Sequence, residues 1–419
     1  MNILILTGKF GMGHWSASQS LRQQLLNSFP DINVDVEDFL TYAVPNLAEA
    51  MYKGFNMVVT YGSPLFNVYY KLTAKGHSDA RPPFEGLLLD KLAEMLYERR
   101  PDAVIATHPL CAQLVSRLKE EARRKGAYGL DLPLITCVTD VSSHPEWINR
   151  NTDCYMVASR EVRQELVEKG VDPSLVCVTG IPVREEFRHL GHCEMGKEDV
   201  GGLFSMNSYV REYGNGSRSF SSKCLEAGIG EQDGDEKNNH SLAGDKKRKV
   251  WEVLIMGGGL GLLPKSTEFY DSLNAIPDTH VTIITGRNRK LLKRLQGRWE
   301  NIQVMGYTSQ VWEFMSRADL IVTKPGGITL FETIFAQVPV LTWPPTLQQE
   351  KGNARWLAEE GIGWIAGKKN CAGEIREILK DDKRLSNARN RMGELKGQLK
   401  AESLDGVVEV IARSEYTSA

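Results

Sequence analysis

The sequence lacks features that would mark several classes of protein. Its seven cysteines form no C-x-x-C pair and no zinc-ligand spacing, so we predict no metal site on cysteine and a reducing compartment. It has no run of roughly 18 apolar residues, which argues against a membrane-spanning helix. No basic start or cleavage site precedes the first predicted strand, Ile3 to Leu6, so we predict no signal peptide. The net charge of -2 gives no general drive toward nucleic acid.

What is present is the composition of an ordinary globular protein. Hydrophobic residues make up 42% of the chain and charged residues 25%. A length of 419 residues is sufficient for two domains with full hydrophobic cores.

Residues 320 to 354 carry the most informative pattern, LIVTKPGGITLFETIFAQVPVLTWPPTLQQEKGNA. The apolar run from Leu320 to Val322 predicts a buried parallel strand, and Pro325-Gly326-Gly327 ends it before a predicted helix over residues 328 to 337. Glycines and the free N–H groups of a helix start favour an anionic ligand. Glu332, one turn into the helix, is placed to accept hydrogen bonds from a ribose diol. The polar residues Gln348, Gln349, Glu350 and Asn353 follow and are predicted to bind hydroxyls of a second sugar.

A second glycine loop follows the predicted strand from Trp251 to Met256, with glycines at positions 257 to 259 and 261. Such a loop suits a pyrophosphate, because it exposes backbone N–H groups, although a tight packing turn has the same composition. The next strand ends at Arg287, which we place on the cleft side.

His14 is the candidate catalytic residue of the N-terminal half. It lies where the first strand gives way to a helix predicted over residues 17 to 28, in the segment TGKFGMGHWSAS. The glycine spacing there does not match the dinucleotide-binding fingerprint. A lone histidine is usually structural, yet ligands of open parallel sheets bind at such strand ends. A neutral imidazole is also the side chain best suited to deprotonate a hydroxyl near neutral pH.

Two further predicted strands end in polar residues, at Thr107-His108 and at Thr139-Asp140. In a parallel sheet both ends point into one cleft. Structural and functional roles for His108 are equally supported.

Residues 39 to 75 are rich in aromatic and other apolar residues and carry lysines at intervals. One interpretation is a core or helix-packing surface. The other is a groove for an acceptor substrate on a membrane surface, with aromatics in the interface and lysines toward headgroups, and the family resemblance given below favours it. Its candidate acceptor contacts are Tyr42, Phe66 and Tyr69.

Several segments in the same order resemble the monogalactosyldiacylglycerol synthase and processive diacylglycerol glucosyltransferase family, relatives of MurG. They are GMGHWSAS, the T-D-x-x-x-H-P-x-W block from Thr139, the G-x-P-x-R segment ending at Arg184, KPGG, T-x-x-E and Q-x-x-x-N. Lys9-Phe10 replace the first glycines of the family's histidine loop.

The resemblance implies an α/β fold of the GT-B type, with two Rossmann-like domains facing a cleft. We expect an acceptor domain over residues 1–189 and a UDP-sugar domain over 250–402. Residues 403–419 are expected to return as a helix to the first domain. Residues 190–249 have the polar composition of a flexible insertion, to which we assign no catalytic role.

The implied activity is inverting transfer of glucose or galactose from a UDP-sugar to diacylglycerol or a glycosyldiacylglycerol. His14 is the expected base, and Asp140 either orients it or binds the acceptor. The expected donor-binding residues are Gly13, Gly258, Gly259, Arg287, Tyr307, Val311, Lys324, Gly326, Gly327, Thr329, Glu332, Gln348, Gln349, Glu350 and Asn353. His108, His144 and Trp147 complete the acceptor set.

We expect neither a cofactor nor a metal, since no Asp-x-Asp motif stands where one would be needed. The expected partners are a UDP-hexose, a lipid acceptor and the inner face of the cell membrane, bound peripherally from the cytoplasm, with no nucleic acid. Two alternatives stay open, a MurG-like transferase with another lipid-linked acceptor and a non-catalytic sugar-nucleotide-binding protein. The sequence does not determine the donor sugar or the oligomeric state.

Overall fold

The computed structural model describes residues 1–61, 64, 67–68, 70, 84–126, 132–190, 249–367, 370–401, 404 and 407–411. The predicted acceptor contacts Phe66 and Tyr69, and the predicted insertion between residues 191 and 248, lie outside this part of the chain.

The N-terminal half is a parallel six-stranded sheet in the order β2-β1-β3-β4-β5-β6. Its strands are β1 (Asn2–Thr7), β2 (Asn33–Asp38), β3 (Ala103–Ala106), β4 (Leu134–Cys137), β5 (Cys154–Val157) and β6 (Val176–Val178). The α-helices described in this half are α1 (Gly13–Ser28), α2 (Phe39–Ala43), α3 (Pro45–Tyr61), α4 (Glu85–Arg99), α5 (Pro109–Lys125), α6 (Arg160–Glu168) and α7 (Glu185–His189).

The C-terminal half repeats this design in the order β12-β11-β10-β7-β8-β9, again with parallel neighbours. Its strands are β7 (Trp251–Met256), β8 (Thr279–Ile284), β9 (Ile302–Met305), β10 (Leu320–Thr323), β11 (Val340–Thr342) and β12 (Gly363–Ile365). Its helices are α8 (Thr267–Asn274), α9 (Arg289–Leu295), α10 (Val311–Arg317), α11 (Gly327–Ala336), α12 (Gln348–Glu359), α13 (Cys371–Lys380) and α14 (Asp382–Ala401).

The strand orders explain where ligands are expected. In each half the connections run outward in both directions from the first strand, so a switch point lies between β1 and β3 in one sheet and between β7 and β10 in the other. Ligands of open α/β sheets bind at the carboxyl ends of the strands that flank such a point. Four residues come within two positions of the ends of these strands, namely Gly8 after β1, His108 after β3, Gly257 after β7 and Lys324 after β10.

The two halves pack through an apolar layer. One buried cluster joins Trp147 and Phe187 of the N-terminal half to Phe331 and Ile334 of α11. Val407, near the end of the chain, is fully buried in the core beneath the N-terminal sheet together with Ile3. Burial of apolar side chains on both sides of the cleft favours one preferred arrangement of the halves.

One helix start differs from the sequence prediction by a full turn. Helix α1 begins at Gly13, four residues before the predicted start, so His14 lies in its first turn. Asp381 separates α13 from α14, and its Oδ1 accepts from the backbone N–H of Arg384 in the first turn of α14. None of the helices in the described ranges combines the length and apolar character needed to cross a bilayer.

Candidate active site

His14 is held at one of its two ring nitrogens. Nδ1 lies 2.9 Å from the carbonyl oxygen of Thr107 and 2.9 Å from Oγ1 of Thr139. Because a carbonyl oxygen can only accept, Nδ1 carries the proton and Nε2 keeps its lone pair. Within the described residues, Nε2 has no hydrogen-bond partner. The ring is therefore in the tautomer that a general base requires.

Hydroxyl groups fix the backbone around this histidine. Ser18 donates to the carbonyl oxygen of His14 at 2.8 Å and lies 2.8 Å from Oγ1 of Thr107. Thr107 in turn lies 2.9 Å from Oγ1 of Thr7. Three strand or helix ends thus share one buried network, which holds the imidazole in place.

The electrostatic setting keeps His14 neutral. Burial lowers its pKa below the ordinary value of 6.5, and the negative charge of Asp140 and the bond to Thr107 oppose that shift. Burial also raises the pKa of Asp140. The charge that His14 carries when protonated, the amide of Asn353 and the charge of Lys324 oppose this shift. Thr107 and Thr139, rather than Asp140, supply the bonds that orient the ring. Asp140 acts on His14 through its charge.

His108 lies beside His14 in a structural position. The centres of the two rings are 4.7 Å apart, and His108 stacks on Phe10 at 5.0 Å. Its Nδ1 accepts from the backbone N–H of Leu110 and so caps α5. Burial is the main cause that holds the pKa of His108 well below 6.5, and repulsion from His14 when that ring is protonated adds to it. A neutral His108 forms a wall of the cleft next to the base.

The other predicted acceptor residues have different surroundings. His144 accepts from the N–H of Glu146 at Nδ1 and donates to the carbonyl oxygen of Tyr70 at Nε2, so both ring nitrogens are used within the protein. Trp147 is only 3% exposed and its ring centre lies 6.2 Å from that of His14. Tyr42 donates to Glu98 of α4. Of these three side chains, Trp147 is the one that neighbours the ring of His14.

The glycines of the C-terminal half differ in what surrounds them. A Cβ at Gly326 would meet open space, whereas a Cβ at Gly327 would lie 2.4 Å from the carbonyl oxygen of Thr139. A Cβ at Gly259 would lie 3.1 Å from the side chain of Met12. Gly327 and Gly259 therefore allow the two halves to approach each other. Of the three, only Gly326 has open space where its Cβ would be, and ligand binding by these glycines stays a prediction.

Gly258 and Gly13 complete the predicted glycine positions. Gly258 has a positive φ of 67° and sits beside Lys324, so that a Cβ at this position would lie 3.1 Å from Cε of the lysine. Gly13 is the first residue of α1, with open space where its Cβ would be. Gly258 lies in the loop after β7 and Gly13 at the start of α1, so both are near a switch point, where backbone N–H groups can face an anion.

Lys324 brings positive charge to the cleft. Its Nζ lies 3.0 Å from Oε1 of Glu350, which is 7% exposed.

Gln348 and Gln349 are half-buried at the start of α12. The N–H of Gln348 donates to Oδ1 of Asn67 at 2.7 Å, which ties the donor-side helix to the N-terminal half. Among the residues that the structure describes, the side chains of the two glutamines have no hydrogen-bond partner.

Glu332, predicted to bind a ribose, is paired with an arginine from the other half. Nε of Arg184 lies 3.0 Å from Oε1 of Glu332, and Nη1 of Arg184 donates to the carbonyl oxygen of Ser309 at 2.8 Å. Burial raises the pKa of Glu332, and Arg184 opposes that shift. Thr329 lies one turn earlier on the same face of α11 and is half-buried.

Three of the predicted donor-binding residues lie at and just after the ends of β8 and β9. The guanidinium of Arg287 lies 5.5 Å from the centre of the Tyr307 ring, which is 61% exposed. Val311 begins α10, four residues after Tyr307. An exposed aromatic ring beside a cation offers a stacking surface for a planar base.

Asn353 is fully buried and bonds to both halves of the molecule. It accepts from the N–H of Val141 at 2.9 Å and donates to Pro325 and Asp140 at 2.9 Å and 3.4 Å. Both of its N–H groups are used by these bonds, and its binding of a sugar hydroxyl stays a prediction.

Four contributors to the site were not predicted as site residues from the sequence, namely Thr107, Thr139, Arg184 and Asn67. Thr107 and Thr139 follow β3 and β4, so the rule that ligands gather at strand ends identifies them. Arg184 ends the G-x-P-x-R segment. Asn67 carried no signal, because its role depends on the packing of one half on the other.

Comparison with known families matches both halves of the chain. Residues 14–183 match the sequence model of monogalactosyldiacylglycerol (MGDG) synthase, and residues 253–404 match the C-terminal domain of glycosyltransferase family 28.

Similar proteins extend over nearly the whole length. The processive diacylglycerol beta-glucosyltransferase of Staphylococcus carnosus is 26% identical over 400 residues, covering 94% of this chain and 88% of the relative. The enzyme of the same name from Staphylococcus aureus (strain MRSA252) is 28% identical over 369 residues, covering 87% and 81%.

Solved structures share the fold at low sequence identity. Anabaena HepE in complex with UDP-glucose has a TM-score of 0.51 at 14% identity, covering 100% of this chain and 99% of HepE. The UDP-GlcNAc 2-epimerase of Neisseria meningitidis has a TM-score of 0.54 at 13% identity, covering 99% and 100%. The expected GT-B class is confirmed. The N-terminal half thus matches the family model of monogalactosyldiacylglycerol synthase, and the C-terminal half matches that of the glycosyltransferase family 28 C-terminal domain.

Proposed function

We propose that this protein is an inverting glycosyltransferase that moves a hexose from a UDP-sugar to diacylglycerol or a glycosyldiacylglycerol. The observation that carries the proposal is the tautomer of His14, which leaves Nε2 as a proton acceptor at the switch point of the N-terminal sheet. The loops at the switch point of the C-terminal sheet lie across the cleft from it. The similarity to diacylglycerol glucosyltransferases supports the acceptor class.

In the proposed reaction the acceptor hydroxyl oxygen attacks the anomeric carbon, and its proton passes to Nε2 of His14. The bond from that carbon to the diphosphate breaks, and its electron pair leaves with UDP. A single displacement inverts the anomeric configuration. The charge of Asp140 stabilises the imidazolium that forms, and the proton then returns to solvent.

The leaving diphosphate gains negative charge as the bond breaks. Lys324 and the N–H groups at the start of α11 supply positive potential at the expected position of the phosphates. In this proposal these groups stabilise the charge without a metal or cofactor.

The donor nucleoside is assigned to the C-terminal half. Glu332 is proposed to accept from the ribose, Tyr307 and Val311 to contact the uracil, and Gln348 and Gln349 to bind the hexose. Their support is their placement around one cleft edge, at the carboxyl ends of β9, β10 and β11.

The acceptor is proposed to arrive from a membrane surface. Helix α3 exposes Leu47 at 40%, Met51 at 36% and Met57 at 65%, with Lys53 on the same helix. Exposed apolar side chains beside a lysine suit the interface of a bilayer with anionic headgroups. We therefore propose peripheral association with the inner face of the cell membrane.

The decisive experiment measures UDP release from UDP-glucose and UDP-galactose, with and without diacylglycerol in mixed micelles. We expect lipid-dependent release that His14→Ala lowers by about 100-fold or more, with UDP affinity retained. His189→Ala removes an exposed histidine of α7 and serves as the matched control. UDP binding without release under any lipid would favour the non-catalytic alternative, and release with another lipid-linked acceptor would favour the MurG-like one.

A further inference from the structure

Asn353 is a residue of the C-terminal half whose side chain joins two loops from opposite sides of the cleft. Its Oδ1 accepts from the N–H of Val141, and its Nδ2 donates to Oδ1 of Asp140, both in the loop after β4. The same Nδ2 donates to the carbonyl oxygen of Pro325, in the loop after β10. Asn353 is fully buried, so these bonds form away from water.

The first of these loops also touches the base. Thr139, one residue before Asp140, places Oγ1 at 2.9 Å from Nδ1 of His14. Its carbonyl oxygen leaves no room for a side chain at Gly327, the residue that begins α11. The loop after β4 is thus held between the imidazole and the donor-side loop.

We propose that Asn353 is a positioning residue, which fixes residues 139 to 141 on the donor-side loop and thereby sets the distance between His14 and the bound sugar nucleotide. The catalytic consequence rests on the proposed function. The physical reason is that a displacement requires the reacting atoms in contact and aligned, so a small shift between the two loops slows it strongly.

This role differs from direct binding of the sugar. The two N–H groups of the amide donate to Asp140 and Pro325, its oxygen accepts from Val141, and the residue is fully buried, so its side chain faces protein partners rather than the open cleft. Gln348 and Gln349, one turn earlier on α12, remain half-buried and are the residues left for the hexose.

The test compares Asn353→Ala with Lys351→Ala, an exposed position of the same helix. Hydrogen exchange of the full-length protein is measured at the amide of Val141, which bonds to Asn353, and at that of Val138, which bonds to Met156 within the sheet. For Asn353→Ala we expect faster exchange at Val141 by about tenfold or more, with no change at Val138. Lys351→Ala leaves both amides as in the wild type.

Kinetics and binding separate positioning from the alternatives. We expect kcat of Asn353→Ala to fall about tenfold or more, with the affinities for UDP and for UDP-glucose each within about threefold of wild type. A selective loss of UDP-glucose affinity relative to UDP would assign Asn353 to the sugar and overturn the proposal. Unchanged exchange at Val141, or unchanged kcat, would also overturn it.

A second variant covers the case in which the alanine variant does not fold. Asn353→Asp has the same shape and keeps an oxygen for Val141, but it loses both donated bonds and puts a second carboxylate beside Asp140. We expect protection of Val141 to persist while kcat falls. Because hydrogen exchange needs no turnover, a wild type without transfer activity would refute the proposed function and still leave the positioning of residues 139 to 141 testable.

Discussion

Arg184 and Glu332 form an ion pair between the two halves of the molecule, with Nε of the arginine 3.0 Å from Oε1 of the carboxylate. Arg184 precedes α7 in the N-terminal half, and Glu332 lies on α11 in the C-terminal half. The same guanidinium donates to Ser309, two residues after Tyr307. The N-terminal half therefore helps to organise the side of the cleft to which we assign the nucleoside.

Arg184→Gln is expected to weaken UDP binding by about tenfold, which corresponds to about 1.4 kcal/mol. The charged groups facing Glu332 are Arg184 and Glu186, and loss of the arginine leaves burial and Glu186 to raise the pKa of Glu332. A carboxyl with a raised pKa is ionised less as the pH falls, so the loss of affinity should be larger near pH 6 than near pH 8. Calorimetric titration with UDP at about pH 6 and about pH 8 measures the loss of affinity and its dependence on pH.

Arg188→Gln is the control for that variant, since Arg188 lies on α7 and its ion pair is with Glu185 of the same helix. Equal UDP affinity of wild type and Arg184→Gln at both pH values would remove Arg184 from the donor site.

The acid limb of the rate profile should reflect the neutral form of His14. Burial lowers the pKa of His14 below 6.5. We therefore expect kcat/KM to increase as the pH is raised toward 6.5 and to reach a plateau by neutral pH. The titratable groups facing the ring are Asp140, which raises its pKa, and His108. Asp140→Asn removes the negative charge and should move the limb to lower pH.

This measurement compares kcat/KM of wild type and Asp140→Asn from about pH 5 to about pH 9. The limb belongs to the coupled pair of His14 and Asp140 rather than to one residue, so the comparison of the two profiles matters more than either midpoint. A limb that stays in place, or moves upward, in Asp140→Asn would contradict this electrostatic role.

Gly327→Ala should loosen the contact between the two halves. The added Cβ would lie 2.4 Å from the carbonyl oxygen of Thr139, so one of the two loops has to move. We expect a loss of stability of about 1–3 kcal/mol, as for an overpacked core, together with a lower kcat. Thermal unfolding and the UDP-release assay measure the two effects.

Gly326→Ala is the matched control for stability, since its Cβ would point into open space and its φ of -79° suits any residue. Its melting temperature should equal that of wild type. Weaker UDP binding by Gly326→Ala would indicate that the donor occupies the open space beside Gly326. Equal loss of stability in Gly326→Ala and Gly327→Ala would contradict the close contact with Thr139 as the cause.

Leu47→Asp combined with Met51→Asp should reduce binding to vesicles that contain anionic lipid, because two exposed apolar side chains of α3 become charged. Transfer to diacylglycerol should fall in parallel, while UDP affinity is unchanged. Val250→Asp, at another exposed apolar residue next to β7, is the control. Sedimentation with vesicles measures the effect, and binding equal to wild type would place the membrane contact elsewhere.

Much of the fold follows from the sequence alone. Apolar runs such as Ile3 to Leu6 and Leu320 to Val322 are typical of strands that are buried on both faces, and a glycine-containing turn and a helix follow each of them. That local order predicts parallel sheets, and it places His14, Lys324 and Gly326 at strand ends without knowledge of the tertiary structure.

The tertiary structure decided which residues act together. Local pattern assigned Asn353, Glu332 and Gly327 to a ligand, and it gave no sign of the contacts that the structure shows for them with Val141, Arg184 and Thr139 of the other half. Such pairs are separated by more than a hundred residues, and their distances depend on how two sheets pack through a shared apolar layer. Sequence periodicity records which face of an element is buried, but it carries no information about the partner that buries it. The chemistry of single residues was therefore determined by the sequence, and their assembly into one site by the packing of the two halves.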